Sequence, residues 1–179
     1  MANLLRAAAL AGLSTVLLAG CQSTIEKNSC PVVTVLATTS SMTVFKDGYQ
    51  GDPSGQLYSI QATRVDSSCD FDRDEGVSDS NITITFRATR TPTGDASSYT
   101  FPYYVASVQD GSTILAKQAY TATVNFAPGE ASTEFGVTVP STVIKLANGV
   151  KPYQYSIVVG LQLTKEQLDY QNRSGSYAP

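Results

Sequence analysis

The chain has 179 residues, with no histidine, no tryptophan and only three cysteines, and charged side chains fill just 15% of its positions. Each shortage excludes something. Without histidine the commonest general base and metal ligand is missing. Twelve basic against fifteen acidic residues give a net charge of −3, and no stretch forms the basic patch that nucleic-acid binding requires. A charged share well under the usual ~25% leaves a surface carried by Ser, Thr, Gln and Asn. The longest mainly apolar segment, Ala7 to Leu18, has twelve residues. A helix across a bilayer needs roughly 20.

What is present begins with an export signal. The α-amine and Arg6 make a weak positive start, Ala7 to Leu18 the apolar segment, and Leu18-Ala19-Gly20-Cys21 a processing site. Residues 1–20 therefore read as a signal peptide that is removed. The Leu-Ala-Gly-Cys tetrad resembles the lipobox of bacterial lipoproteins. That resemblance implies a diacylglycerol on the Cys21 thiol, cleavage just before Cys21, and an N-acyl chain on the new amine. One acyl chain holds a protein to a membrane only marginally, whereas two or three anchor it firmly. Gln22 stands where many inner-membrane lipoproteins carry Asp, so the family analogy points to the outer membrane, on its periplasmic face. Removing residues 1–20 takes away Arg6 and leaves eleven basic against fifteen acidic residues, a net charge of −4. Residues 21–29 are then a polar, lipidated tether, reaching at most about 30 Å.

With Cys21 carrying lipid, Cys30 and Cys69 are each other's only partners in an oxidising compartment. Their loop of about 40 residues predicts on the order of 4 kcal/mol of stabilisation from chain entropy. The alternative is two buried free thiols. Two cysteines without histidine cannot complete a zinc tetrahedron.

From Cys30 onward the pattern alternates every two residues, in segments rich in Val, Ile, Thr, Tyr and Phe cut by Gly, Pro, Asp and Asn clusters. Ile82, Ile84, Phe86 and Ala88 share one face. So do Tyr120, Ala122, Val124 and Phe126, then Phe135, Val137 and Val139, and last Tyr153, Tyr155, Ile157, Val159, Leu161 and Leu163. With CPVVTVLA from Cys30, LYSIQATRV from Leu57 and YTFPYYVASV from Tyr99, about seven strands result. They predict an all-β fold over residues 30–170: an antiparallel, immunoglobulin-like β-sandwich, without the Trp or cysteine spacing of true immunoglobulin domains. Pro102 places its strand at an edge, or starts it later. Asp110-Gly111 marks a hairpin. Cys30 opening the first strand and Cys69 closing the second suggest an antiparallel pair stapled at its base. One short C-terminal helix is expected from about Lys165 to Tyr170, with Thr164 and Gln167 as a capping box and Leu163 with Leu168 as a hydrophobic staple. Residues 171–179 read as a flexible tail.

The stretch CDFDRDEGVSDSN from Cys69 spaces Asp70, Asp72 and Asp74 as in a calcium loop. The pattern then fails, because Glu75 sits where glycine is needed and Asn81 where a bidentate Glu belongs. A solvated acidic turn is the expected reading; if calcium binds, Asp70, Asp72, Asp74 and Asp79 are the candidates. No catalytic residue is expected: the acidic residues cluster on one turn, and Lys117, Lys145 and Lys151 have no serine partner in a motif. Tyr99, Tyr103 and Tyr104 are expected in the core rather than at a binding surface.

The chain as a whole resembles a group of uncharacterised outer-membrane lipoproteins of alphaproteobacteria. The resemblance rests on Leu18 to Cys21, CPVVTVL at Cys30, SSCDFD at Ser67, FPYYVASVQDG at Phe101 and GLQLTKEQLDYQNR at Gly160. It implies location and build and carries over no catalytic residue. The expected function is a structural or protein-interaction module, an accessory subunit of an envelope assembly with the outer-membrane bilayer and an envelope protein as partners. A calcium- or ligand-binding module is the first alternative and a small carboxylate-dependent hydrolase the second. No cofactor is expected beyond the acyl groups on Cys21.

Overall fold

The computed structural model describes residues 30–174. The expected signal peptide, the expected lipidated tether from Cys21, and residues 175–179 lie outside them. Among the described residues eight strands form two packed sheets. The first runs in the order β1 (Val32–Val35), β8 (Tyr155–Leu161), β5 (Ser97–Gln109), β6 (Thr113–Phe126). The second is β2 (Ser41–Phe45), β3 (Gln56–Asp72), β4 (Val77–Arg90), β7 (Ser132–Lys145). All pairings are antiparallel except β1 with β8, which is parallel. The all-β sandwich is thus as expected.

The period-two segments bury the faces that their alternation selects. Ile82, Ile84, Phe86 and Ala88 are at most 1% exposed. Val139 of β7 extends this side beside Ile82, and Val124, Phe126 and the row Tyr155, Ile157, Val159, Leu161 close the other. Phe86 sits at the centre, its ring edge-on to Phe101 at 5.1 Å and to Tyr103 at 5.8 Å, an arrangement that favours aromatic quadrupoles as well as area. Tyr103 is in the core and Tyr99 packs against it, stacked on Tyr58 at 4.3 Å, as expected; Tyr104 is buried outside the core, on the outer face of its sheet beside Thr39 and Lys117. Burial raises the Tyr58 and Tyr103 hydroxyl pKa values, with Tyr99 and Tyr120 adding to it.

The structure corrects several expectations. Eight strands form, not seven. The extra one is β2, hidden in a Thr/Ser-rich stretch where Met42 and Val44 alone carry the alternation. Tyr153 belongs to a 3-10 turn before β8 and is exposed. Pro102 lies inside β5, which is central rather than at an edge. The proline is tolerated because β8 has ended at Leu161: the Pro102 carbonyl accepts from Gln162 N at 3.0 Å. Its missing N–H therefore points to the side where the neighbouring strand has stopped.

The bridge joins the sheets rather than one hairpin. Cys30 and Cys69 are bonded with their Cα atoms 6.0 Å apart. Cys30 leads into β1 of the first sheet, while Cys69 lies within β3 of the second. β3 runs on to Asp72 because β4 pairs with it along its whole length. Ser78 and Ser80, facing this end of the interior from β4, are buried and their hydroxyls have no hydrogen-bond partner among the described residues.

The β5–β6 turn is as read: Asp110 and Gly111 both have positive φ, at 51° and 72°, as a type I′ hairpin needs. The helix α1 spans Lys165–Ser174. Its capping box forms, Gln167 N donating to Thr164 Oγ1 at 3.2 Å and Thr164 N to Gln167 Oε1 at 2.9 Å. It continues a turn beyond Tyr170, so residues 171–174 are helical. Gln171 is buried and its Nε2 donates to Ser41 Oγ of β2 at 3.0 Å, while Tyr170 meets the Phe45 ring.

Candidate functional site

The acidic stretch is built differently from a loop of ligands. Asp70 and Asp72 lie on β3 and Asp79 on β4, directly opposite Asp70, leaving only Arg73 to Gly76 as the turn. Asp72 Oδ1 accepts from Asp74 N and Glu75 N, at 2.9 and 3.0 Å. Asp79 accepts from the Ser141 hydroxyl of β7. Gly76, with φ of 63°, supplies the left-handed residue that closes the turn. Among the described residues no group of three His, Cys, Asp or Glu side chains converges as a metal site would.

Two clefts open at the surface. One of about 710 Å³ lies between the β3–β4 turn and the β7–β8 loop, with Arg73, Lys145 and Lys151 beside Asp74 and Glu75 and the exposed ring of Tyr153. It sits at the end where the chain enters through Cys30, since β1 and β8 start together and β3 and β7 finish there. The other, about 630 Å³, runs between β2 and α1. On α1 the Asp169 and Glu166 carboxyls fall below their usual range, Asp169 through its bond to Lys165 and Glu166 through its own backbone N–H and the Thr164 hydroxyl.

The opposite end is organised by Arg90, which sequence reasoning passed over. Its side chain is buried, and all five N–H donors find acceptors. Nε donates to Glu130 O at 2.9 Å, one terminal nitrogen to Thr93 Oγ1 and Ser97 Oγ, and the other to Asp95 O and Ala127 O. The guanidinium also lies 4.8 Å from the Phe126 ring centre. Arg90 thereby ties the β4–β5 loop to the β6–β7 loop, both of which cross between sheets. An apolar-polar alternation gives no signal for it, because it occupies an inward position that the pattern assigns to a hydrophobe.

The sheet edges differ sharply. β1 is four residues long, β2 has α1 packed along it, and β7 carries Pro140 and a break in register opposite Asn81. These are recognised ways of blunting an edge. β6 is an edge strand of fourteen residues without proline. From Thr113 to Ala119 every residue is exposed, Ile114 and Leu115 included. It has a bulge at Leu115 and one charge in this half, Lys117, whose Nζ is drawn back 4.1 Å over the Tyr104 ring instead of guarding the edge. The direction of its backbone follows from Pro102. Because Pro102 faces β8, the opposed pair Pro102 and Thr121 is not hydrogen-bonded. Thr121, and by alternation Ala119 and Lys117, point their N–H and C=O groups outward.

No family model, curated protein or solved structure matches the chain. No helix among the described residues is long and apolar enough to cross a membrane.

Proposed function

We propose that this protein is a lipid-anchored, periplasm-facing outer-membrane lipoprotein that works as a protein-interaction module, an accessory subunit of an envelope assembly. The single observation that carries the interaction role is the β6 edge: long, apolar in its outer half, and with outward backbone groups available at Lys117, Ala119 and Thr121. A segment of an envelope protein adding there as an antiparallel or parallel strand gains main-chain hydrogen bonds, with alternate side chains setting specificity. The lipid anchor rests on Leu18 to Cys21 and its resemblance to the lipobox.

Two variants of the full chain test the two halves of this reading. Cys21→Ser should move the protein from the membrane to the soluble fraction of the envelope, and unchanged membrane retention contradicts the anchor. Ala119→Pro removes one outward N–H while sparing the β5–β6 ladder, so it should abolish copurification of the partner from crosslinked envelopes at unchanged melting temperature, while Ala119→Thr retains it. Equal recovery with both contradicts strand addition.

A further inference from the structure

The outer faces of the two sheets are unlike. On the β3-β4-β7 side the outward positions include Arg64, Asp66, Asp70, Asp79, Arg87 and Glu134, with Arg64 and Arg87 paired to Asp66 and Glu134. On the other sheet one cross-strand row runs Val32, Ser156, Val108, Ile114 through all four strands. The next row contains Val158 and Lys117, and Leu36 follows at the β1 edge, bonded through its N–H to Val159 O. Val32, Leu36 and Ile114 are 62%, 41% and 64% exposed. Lys117, on the Tyr104 ring, is the one charged side chain that the strands β1, β8, β5 and β6 place on this outer face.

We infer that this face lies against the surface of a phospholipid bilayer. The inference rests on the anchored reading above and deepens it by assigning an orientation. The chain enters the fold at Cys30, which the bridge to Cys69 fixes to the sandwich two residues before Val32, the first member of that cross-strand row. With the anchor at Cys21, the preceding segment brings that corner of the domain within about 30 Å of the membrane. Of the two sheet faces, the charged one loses hydration at a lipid surface, whereas the apolar one loses little and gains burial of Val32, Leu36 and Ile114. Lys117, exposed and held over the buried Tyr104 ring, offers this face one cation for an anionic headgroup. The open edge of β6 borders this same face, which places strand addition beside the membrane.

The absence of tryptophan makes the test direct. Lipidated full-length protein with Ile114→Trp or, separately, Thr138→Trp on the opposite face is reconstituted into phosphatidylethanolamine–phosphatidylglycerol vesicles containing brominated acyl chains. Both variants should float with the vesicles. The Ile114→Trp emission should be blue-shifted and at least about twofold more strongly quenched than that of Thr138→Trp, as expected for a residue at the headgroup boundary. Flotation with equal quenching overturns the orientation and leaves the anchor standing. Flotation with a blue shift but no quenching at residue 114 means that a second copy or another protein covers the face, which also overturns it. Failure to float removes the anchor and the orientation together.

Discussion

Arg90 shows how one residue can decide a fold without being legible in the pattern. It stands at an inward position of β4, in register with Ile82, Ile84, Phe86 and Ala88, where a hydrophobe would satisfy the alternation. A cation is stable there because carbonyls of Asp95, Ala127 and Glu130 and the hydroxyls of Thr93 and Ser97 take all its donors. The change Arg90→Met keeps an unbranched apolar stem but removes the guanidinium and leaves those carbonyls without their donors. Hydrogen bonds to a charged group are worth about 1.5–3 kcal/mol each, so a loss of at least about 3 kcal/mol is expected in urea unfolding. Proteolytic sensitivity should rise at residues 91–96 and 127–131. A loss below 1 kcal/mol, on the order of a surface change, contradicts its role as the tie between loops. Gly160 is a second such residue: a Cβ there would fall 2.1 Å from Thr39 Oγ1 and 2.6 Å from the Tyr104 hydroxyl, so the position must stay bare for Tyr104 to lie across the sheet.

Among the elements, the strands with sustained alternation were legible because each has one wet face and one dry face. β2 was not, since two apolar residues in a Thr/Ser stretch give too short a period to separate from a loop. The end of β3 past Cys69 reads as part of an acidic turn because Asp70 and Asp72 look solvated. They are solvated, but the inward Cys69 and the pairing with β4 hold them extended. Cys69 bridges the sheets instead of stapling a hairpin because β1 pairs with β8 and not with β3. β1 is short and pairs only with β8, so the bridge should matter most there. Cys69→Ser is expected to cost about 2–4 kcal/mol. Amide exchange should accelerate in Val32–Val35 well before it does in β4 or β5. Uniform acceleration across all strands contradicts this local role.

At the scale of the whole molecule, the sandwich distributes its surface unequally. One face is charged, the other apolar; three sheet edges are blunted and β6 is open. Such asymmetry was not readable from composition, because Ile114, Leu115, Val32 and Leu36 look like core residues until the strand order places them outside. The expected signal peptide and the lipobox-like tetrad, by contrast, are read from residues 1–21 alone, and no strand order bears on them. At this scale the proposed interaction is a strand from an envelope protein received by β6. Its most direct test is a photoreactive amino acid at Gln118, on the open half of β6, compared in living cells with one at Thr138 on β7. A single adduct from residue 118, absent from residue 138 and abolished by Ala119→Pro in the same chain, is the predicted result. Identical adducts from both positions, or an adduct at residue 118 that persists with Ala119→Pro, would contradict it.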